Sequence, residues 1–290
     1  MNGRTGWHRL VRGGLVLVTT LYCVFPIYFM FVQSLKTAQE DVFGNPWIVV
    51  NPTLENFEEL FERKGQAHNF VGRVLQRDYP FFVWLQNTLV IFGGSVAITL
   101  VAGVLAAYGL GRLQPPGFRW WRRAIFATYV VPHTILFVPL YQVVIRLGLD
   151  DNLFVLLLVY PTMALPFCVW ILSAYFQHLP RAIEESALVE GASRVTAFVR
   201  VVLPMSRPVL VAAGIFALGN IASDFTLASV FLLSAHNQTI PAGLATMEVA
   251  LDELLAVAGI NLMAIPVVLV CAMFARGYVR GLTAAMVEGA

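Results

Sequence analysis

Leu179 to Pro208 reads LPRAIEESALVEGASRVTAFVRVVLPMSRP, a long hydrophilic insert among the apolar runs of the C-terminal half. It carries Arg181, Arg194, Arg200 and Arg207 together with Glu184, Glu185 and Glu190. Pro180 suits the start of a helix, where its missing N–H costs nothing. Glu184 and Glu185 come next, near the positive end of that helix, and Ile183, Ala187 and Leu188 mark an apolar side. Gly191 breaks the run, Ser193 is placed to cap a new helix, and Val195 to Leu203 predicts that second short helix, stopped by Pro204. Glu190 and Arg194 stand one turn apart in the favourable order. Two short helices hinged at a glycine have the shape of a docking element.

The rest of the chain is membrane-like. Of 290 residues, 58% are hydrophobic and only 12% charged, about half the ~25% usual for a soluble domain; the mean hydropathy is +0.74. Six spans are predicted: Leu15 to Gln33 with Pro26 inside it, Phe81 to Leu110, Ala124 to Ile145, Leu153 to Phe176 interrupted by Pro161 and Pro166, Val209 to Leu233, and Leu254 to Phe274 with Pro266 inside it. The first is close to the ~20 residues a bilayer requires. The second span is rich in small residues (Gly93, Gly94, Gly103, Ala106, Ala107) that let helices approach closely in lipid. Ser34 to Pro80 is the longest polar segment, and Ser234 to Glu253 is a polar connection with a partly re-entrant reading.

Charge sets the orientation. Arginines and lysines on the side of the N-terminus, Arg112 to Arg123, the 179–208 insert and the tail number 13 of 19, while the opposite side holds six bases and twelve acids. Cytoplasmic loops are enriched in Lys and Arg, so both termini and the insert are expected in the cytoplasm.

Catalysis finds no support. There is no Gly-Lys pair, hence no phosphate-binding loop of that type, and His8, His68, His133, His178 and His236 are scattered, as are Cys23, Cys168 and Cys271. No metal is expected. Asp224 is the one acid well within a predicted span, which costs roughly 2.5–3.5 kcal/mol at a bilayer centre unless it faces protein or water. Asn220 precedes it by one turn. Two readings stand for this patch, a helix-packing hydrogen bond or a polar lining of a translocation path. Tyr129, Tyr141, Tyr160 and Trp170 are either packing aromatics or surfaces on which a sugar stacks.

Glu185-Ser186-Ala187, three residues, Gly191-Ala192 and then Leu203-Pro204 resembles the EAA loop of ABC-importer permeases. Ser186 stands where that motif usually has Ala, and Glu190 where Asp is common. Pro46-Trp47, Pro52-Thr53 and Asn56-Phe57 resemble the first outer loop of the sugar-type, maltose-system-like members. Ala222-Ser223-Asp224-Phe225 is similar to their Trp-Asn-Glu-Phe, matching the acid and Phe225 only. The resemblance implies an all-α, six-helix membrane protein of the type I importer permease kind with a cytoplasmic coupling helix. Its parts would be a cytoplasmic N-terminus (1–14), one permease domain (15–276) with a long periplasmic loop (34–80) and a coupling loop (177–208), and a cytoplasmic tail (277–290). It implies a bacterial inner-membrane subunit that is not itself an enzyme and forms half of a path for a sugar, oligosaccharide or polyol. Partners would be an ATPase dimer that binds ATP and Mg, a second permease, a periplasmic or lipid-anchored solute-binding protein, and membrane lipid, with no nucleic acid. Glu184, Glu185, Ser186, Ala187, Glu190, Gly191, Ala192, Leu203 and Pro204 would form the coupling contact; Asn220, Asp224, Phe225, Tyr141 and Tyr160 are the path candidates. The alternative is a secondary transporter driven by an ion gradient, for which paired membrane acids or an inverted repeat would be expected.

Overall fold

The computed structural model describes residues 3–62, 65–68, 74–77, 80–245 and 253–287. Among the described residues four helices are long and apolar enough to cross a membrane, and six spans are reached if each of two sharply bent helix pairs counts as one. An all-helical membrane fold is therefore present, apart from a short antiparallel hairpin of β1 (Gly65–His68) and β2 (Val74–Arg77). The described chain falls into two compact units, residues 1–82 with 244–265 and residues 83–243 with 266–290.

In the first unit, α1 (Gly3–Ser34) begins twelve residues before the expected span, because the arginine-bearing start is itself helical. The polar segment after it is organised by three buried side chains. Lys36 reaches Pro46 O, Glu40 accepts from the backbone N–H of Val50 and Asn51, and Asn56 donates to Ser34 O and Lys36 O. Each bond satisfies a loop amide or carbonyl that would otherwise be costly to bury. The short helices α2 (Ala38–Phe43) and α3 (Glu55–Glu62) are placed by these bonds. Trp47 closes over Phe25 and Phe29, and its carbonyl accepts from Tyr28.

The second unit is built around α7 (Val155–His178), two-thirds of whose apolar window is buried, against 6% for α1. Pro161 and Pro166 do not interrupt it, contrary to expectation: both lie buried within a continuous helix, as bundled membrane helices tolerate. Lipid supplies no hydrophobic drive between helices, so close packing must hold them. On α4 (Phe81–Tyr108), Gly103 lies against Cys168 and Leu172, and Gly94 under Leu157, as the small-residue pattern predicted; Gly93 faces open space. A π-helical turn, Gly109–Leu113, extends α4.

Three more of the predicted spans are divided or extended. The third is α5 (Phe118–Val130) and α6 (His133–Arg146), bent by 97°. Val131 precedes Pro132 and is extended (φ −72°, ψ 120°), the conformation a neighbouring proline enforces on the residue before it. The fifth is α11 (Arg207–Ala222) and then α12 (Thr226–Phe231), divided at Asp224, whose carboxylate accepts from Leu227 N–H at the start of α12. The last, α14 (Glu253–Val287), runs past Phe274 into the tail. After α12, a tight turn at Ala235–Asn237 leads to the short α13 (Ile240–Ala245), with Ile240 and Ala242 fully buried. The remainder of the connection with the re-entrant reading, 246–252, lies outside the described residues.

That turn is clamped from two sides. Asp151, in a left-handed conformation (φ 52°), accepts from the N–H of Leu233 and Ser234 at 2.8 and 2.9 Å and from the Ser234 hydroxyl. Trp84 Nε1 donates to Ala235 O at 2.6 Å, and Asn87 Nδ2 to His236 O and Gln238 O, both at 2.9 Å. The Ser234 hydroxyl and the backbone amides hold the Asp151 carboxyl below the usual carboxylate range. The clamp is thus complete above the ordinary carboxylate pKa and is lost only as pH falls through the lowered one. We expect the amide protection factors at 233–237, which are corrected for the intrinsic pH dependence of exchange, to be unchanged between pH 5 and 8 and to fall at least tenfold in Asp151→Ala at either pH. Equal protection in the variant would show that Asp151 is dispensable.

Candidate functional site

The 179–208 insert folds as two short helices on either side of Gly191. The first, α8 (Arg181–Val189), starts after Pro180. Gly191 adopts φ +91° and ends the turn, a conformation that favours glycine. Ser193 caps the next helix, its Oγ accepting from Thr196 N–H at 3.2 Å. α9 (Arg194–Ala197) widens into a π turn at Phe198–Val202 and continues as α10 (Leu203–Met205). Pro204 therefore does not stop the helix. Leu203 N–H reaches back five residues to Phe198 O, and the chain turns at Ser206, bending 75° into α11. Among the described residues the expected Glu190–Arg194 pair is also absent: the left-handed Gly191 carries the chain out of the helix between them.

What fixes this element is a buried ion pair that neither helix supplies alone. Glu184 Oε2 meets Arg112 Nε at 2.5 Å, with side-chain exposures of 8% and 6%. The Tyr108 hydroxyl donates to Glu184 Oε1 at 2.6 Å. Arg112 also donates to Leu179 O at 2.7 Å and Pro180 O at 3.3 Å, capping carbonyls at the junction of α7 and α8. Arg112 sits in the π turn that ends α4, and Gly111 permits its approach. A Cβ at residue 111 would stand 2.5 Å from Ser173 O and 3.1 Å from Phe176 Cβ. The Tyr108 ring packs on Phe198 at 4.4 Å, so one side chain binds both halves of the insert.

Burial pushes the Glu184 carboxyl up, but the Tyr108 hydroxyl and the Arg112 guanidinium, with Arg194 farther off, outweigh it and hold the group below the usual carboxylate range. A carboxylate so paired satisfies both oxygens, which is the condition under which burying a charge is tolerable. A cleft of about 160 Å³ beside it is bordered by Arg181, Glu185, Leu188 and Arg194. Such a site orients a helix.

Of the residues expected to make a docking contact, Glu184 faces inward. Glu185, Ser186, Glu190, Gly191 and Pro204 are exposed, while Ala187, Ala192 and Leu203 are half-buried. The outer surface also presents Val189 at 88% and Val195 at 71% exposure. Tyr108 and Arg112 are partners of the insert that its own sequence does not announce. The available signal was a tyrosine and an arginine four residues apart at the end of a span, hence on one helical face.

The path candidates separate. Asn220 borders a cavity of about 620 Å³. Asp224 is 7% exposed at the break between α11 and α12, and Tyr160, fully buried on α7, faces it. Tyr141 packs against Phe231 at 5.9 Å, and Phe225 is exposed. Among the described residues no group of His, Cys, Asp and Glu is arranged to hold a metal.

The family model described as the binding-protein-dependent transport system inner membrane component matches residues 99–288, which include the insert and everything it is tied to. The chain belongs to this family. Inner membrane ABC transporter permease protein YcjP of Escherichia coli is 30% identical over 95% of this chain and 94% of its own. Sulfoquinovosyl glycerol transport system permease protein SmoH of Agrobacterium fabrum is 30% identical over 97% and 93%. Trehalose/maltose transport system permease protein MalG of Thermococcus litoralis is 27% identical over 97% and 96%. The crystal structure of a bacterial ABC transporter that imports the acidic polysaccharide alginate has a chain with a TM-score of 0.76 at 19% identity, over 95% of this chain and 98% of that one. The fold is the type I importer permease fold, and the chain is a multi-pass inner membrane component.

Proposed function

We propose that this chain forms half of the translocation path for a carbohydrate in an ATP-driven importer and receives the drive through the 179–208 insert. The observation that carries the reading is the division of labour within α8. Its inward residue, Glu184, is locked to Arg112 and Tyr108, while Glu185, Val189, Glu190 and, beyond them, Val195 are left exposed. A rigid element anchored to two helices and presenting apolar tips is suited to seat in another protein's groove.

The partners are a cytoplasmic ATPase dimer that holds ATP and Mg, a second permease subunit and an external solute-binding protein. Both termini and the insert lie in the cytoplasm, in keeping with the arginine distribution, and residues 15–276 act as one permease domain. The docking surface comprises Glu185, Ser186, Ala187, Glu190, Gly191 and Ala192, with Leu203 and Pro204 at the bend into α11. Closure of the ATPases moves α8, and the Glu184–Arg112 pair transmits that motion to α4. The carbohydrate assignment draws on the relatives that transport sugars and on the polar and aromatic candidates Asn220, Asp224, Tyr141, Tyr160 and Phe225.

Gly191→Pro tests the hinge. Proline fixes φ near −65° where the chain needs +91°, so the two halves of the insert cannot keep their angle. In proteoliposomes we expect ATP hydrolysis to persist and solute uptake to fall at least tenfold. Wild-type uptake in this variant would remove the insert from the mechanism.

A further inference from the structure

The cavity bordered by Asn220 has a lining that restricts what it can hold. It lies among α5, α6, α7, α11 and α12, and among the described residues no lysine, arginine, histidine, aspartate or glutamate borders it. Its volume of about 620 Å³ falls within the ~300–1,000 Å³ of small-molecule sites. The polar groups are neutral: Thr128, Tyr129, Thr162 and Asn220. Thr128 and Thr162 donate to carbonyls on their own helices, which leaves their oxygens as acceptors. Asn220 Nδ2 spends one proton on Phe216 O at 3.0 Å, so its second proton and its amide oxygen are available. One wall is aromatic. Tyr129 lies 5.6 Å from Phe167 and 6.1 Å from Phe216, and those two rings stack at 4.0 Å.

We infer that this cavity is a solute subsite selective for neutral, hydroxyl-rich saccharides, with Tyr129 and Asn220 as its specificity-determining contacts. The inference rests on the importer reading and narrows its solute class. A sugar offers C–H faces that pack on an aromatic wall and hydroxyls that exchange hydrogen bonds with Asn220, Tyr129 and the threonines. A carboxylated or sulfonated sugar would bring its charge to a lining that, among the described residues, offers no cation to pair with it, which is penalised. The next ionisable residue along this stretch, Asp224, is itself an acid, with its carboxylate turned to Leu227 N–H.

The test uses the complete complex in proteoliposomes with its own binding protein, offered a pool of neutral oligosaccharides of two to four hexoses and, separately, a pool of uronate oligosaccharides of the same lengths. We expect ATP-dependent uptake from the neutral pool at least tenfold above that from the uronate pool. In Asn220→Leu and Tyr129→Phe the neutral uptake should fall at least fivefold through a higher apparent KM, with ATP hydrolysis retained. Uptake of uronates at an equal or greater rate, uptake of neither pool while ATP is hydrolysed, or wild-type uptake in both variants would each overturn the inference. Uptake that ignores ATP and tracks an ion gradient would instead overturn the importer reading, and is recognised by that dependence alone.

Discussion

Glu184→Ala is expected to leave a complex that hydrolyses ATP and imports almost nothing. The substitution strips Arg112 of its counter-charge and Tyr108 of its acceptor at one stroke, in a place where both ion-pair side chains are less than a tenth exposed. Breaking one partner of a buried pair costs about 3–5 kcal/mol, because the remaining charge stays behind unpaired. Arg112 would be drawn toward water, releasing Leu179 O and Pro180 O and with them the fixed angle between α7 and α8. Uptake should fall more than tenfold. The double variant Glu184→Ala, Arg112→Ala should be more stable to heat than Arg112→Ala or Glu184→Ala alone, since it leaves neither charge buried without a partner. Additive losses in thermal midpoint would show that the two side chains act independently. Acidity is a poor substitute for the mutation. The carboxyl is held below its usual range, so the pair is intact above the ordinary carboxylate value and is lost only as pH falls through the lowered one.

The second large effect is steric. Gly111→Val should abolish a stably assembled complex, because its Cβ would meet the Ser173 carbonyl at 2.5 Å and a neighbouring Cβ at 3.1 Å, neither of which is the end of a flexible side chain. The π turn carrying Arg112 would have to move off α7, and the Tyr108–Phe198 contact with it. Even Gly111→Ala should lower the thermal midpoint of the detergent-solubilised complex, by an amount typical of overpacking, roughly 1–3 kcal/mol. Gly109, two residues before, meets nothing within 4 Å, and Gly109→Ala should leave the midpoint near that of the wild type. If the residue-111 and residue-109 variants behave alike, the close approach of α4 to α7 is not what holds Arg112 in place.

Much of this architecture is legible in the chain itself. The apolar runs give the membrane class, and the Pro180–Glu184–Gly191–Ser193 sequence gives two short helices, the second capped by Ser193, with a break between them, because a helix start, a cap and a glycine hinge are local properties. Interruptions are harder to read. Pro132 breaks its span while Pro161 and Pro166 do not, since the outcome depends on neighbours: α7 is packed on several sides and the segment around Pro132 is exposed. Asp224 illustrates the same limit. Within an apolar run it suggests a charge inside a helix, whereas it ends one helix and caps the next. The Glu184–Arg112–Tyr108 lock joins residues more than seventy positions apart, a pairing that no local pattern encodes.

The claim that the insert docks on an ATPase is tested most directly at Val189, 88% exposed at the tip of α8. A photo-crosslinking side chain placed there and activated in native membranes should trap one partner, an ATP-binding protein with a phosphate-binding loop, and Glu184→Ala should sharply reduce the yield. A crosslinker at Val189 that captures only lipid, in membranes where ATP-driven uptake is intact, would contradict the account.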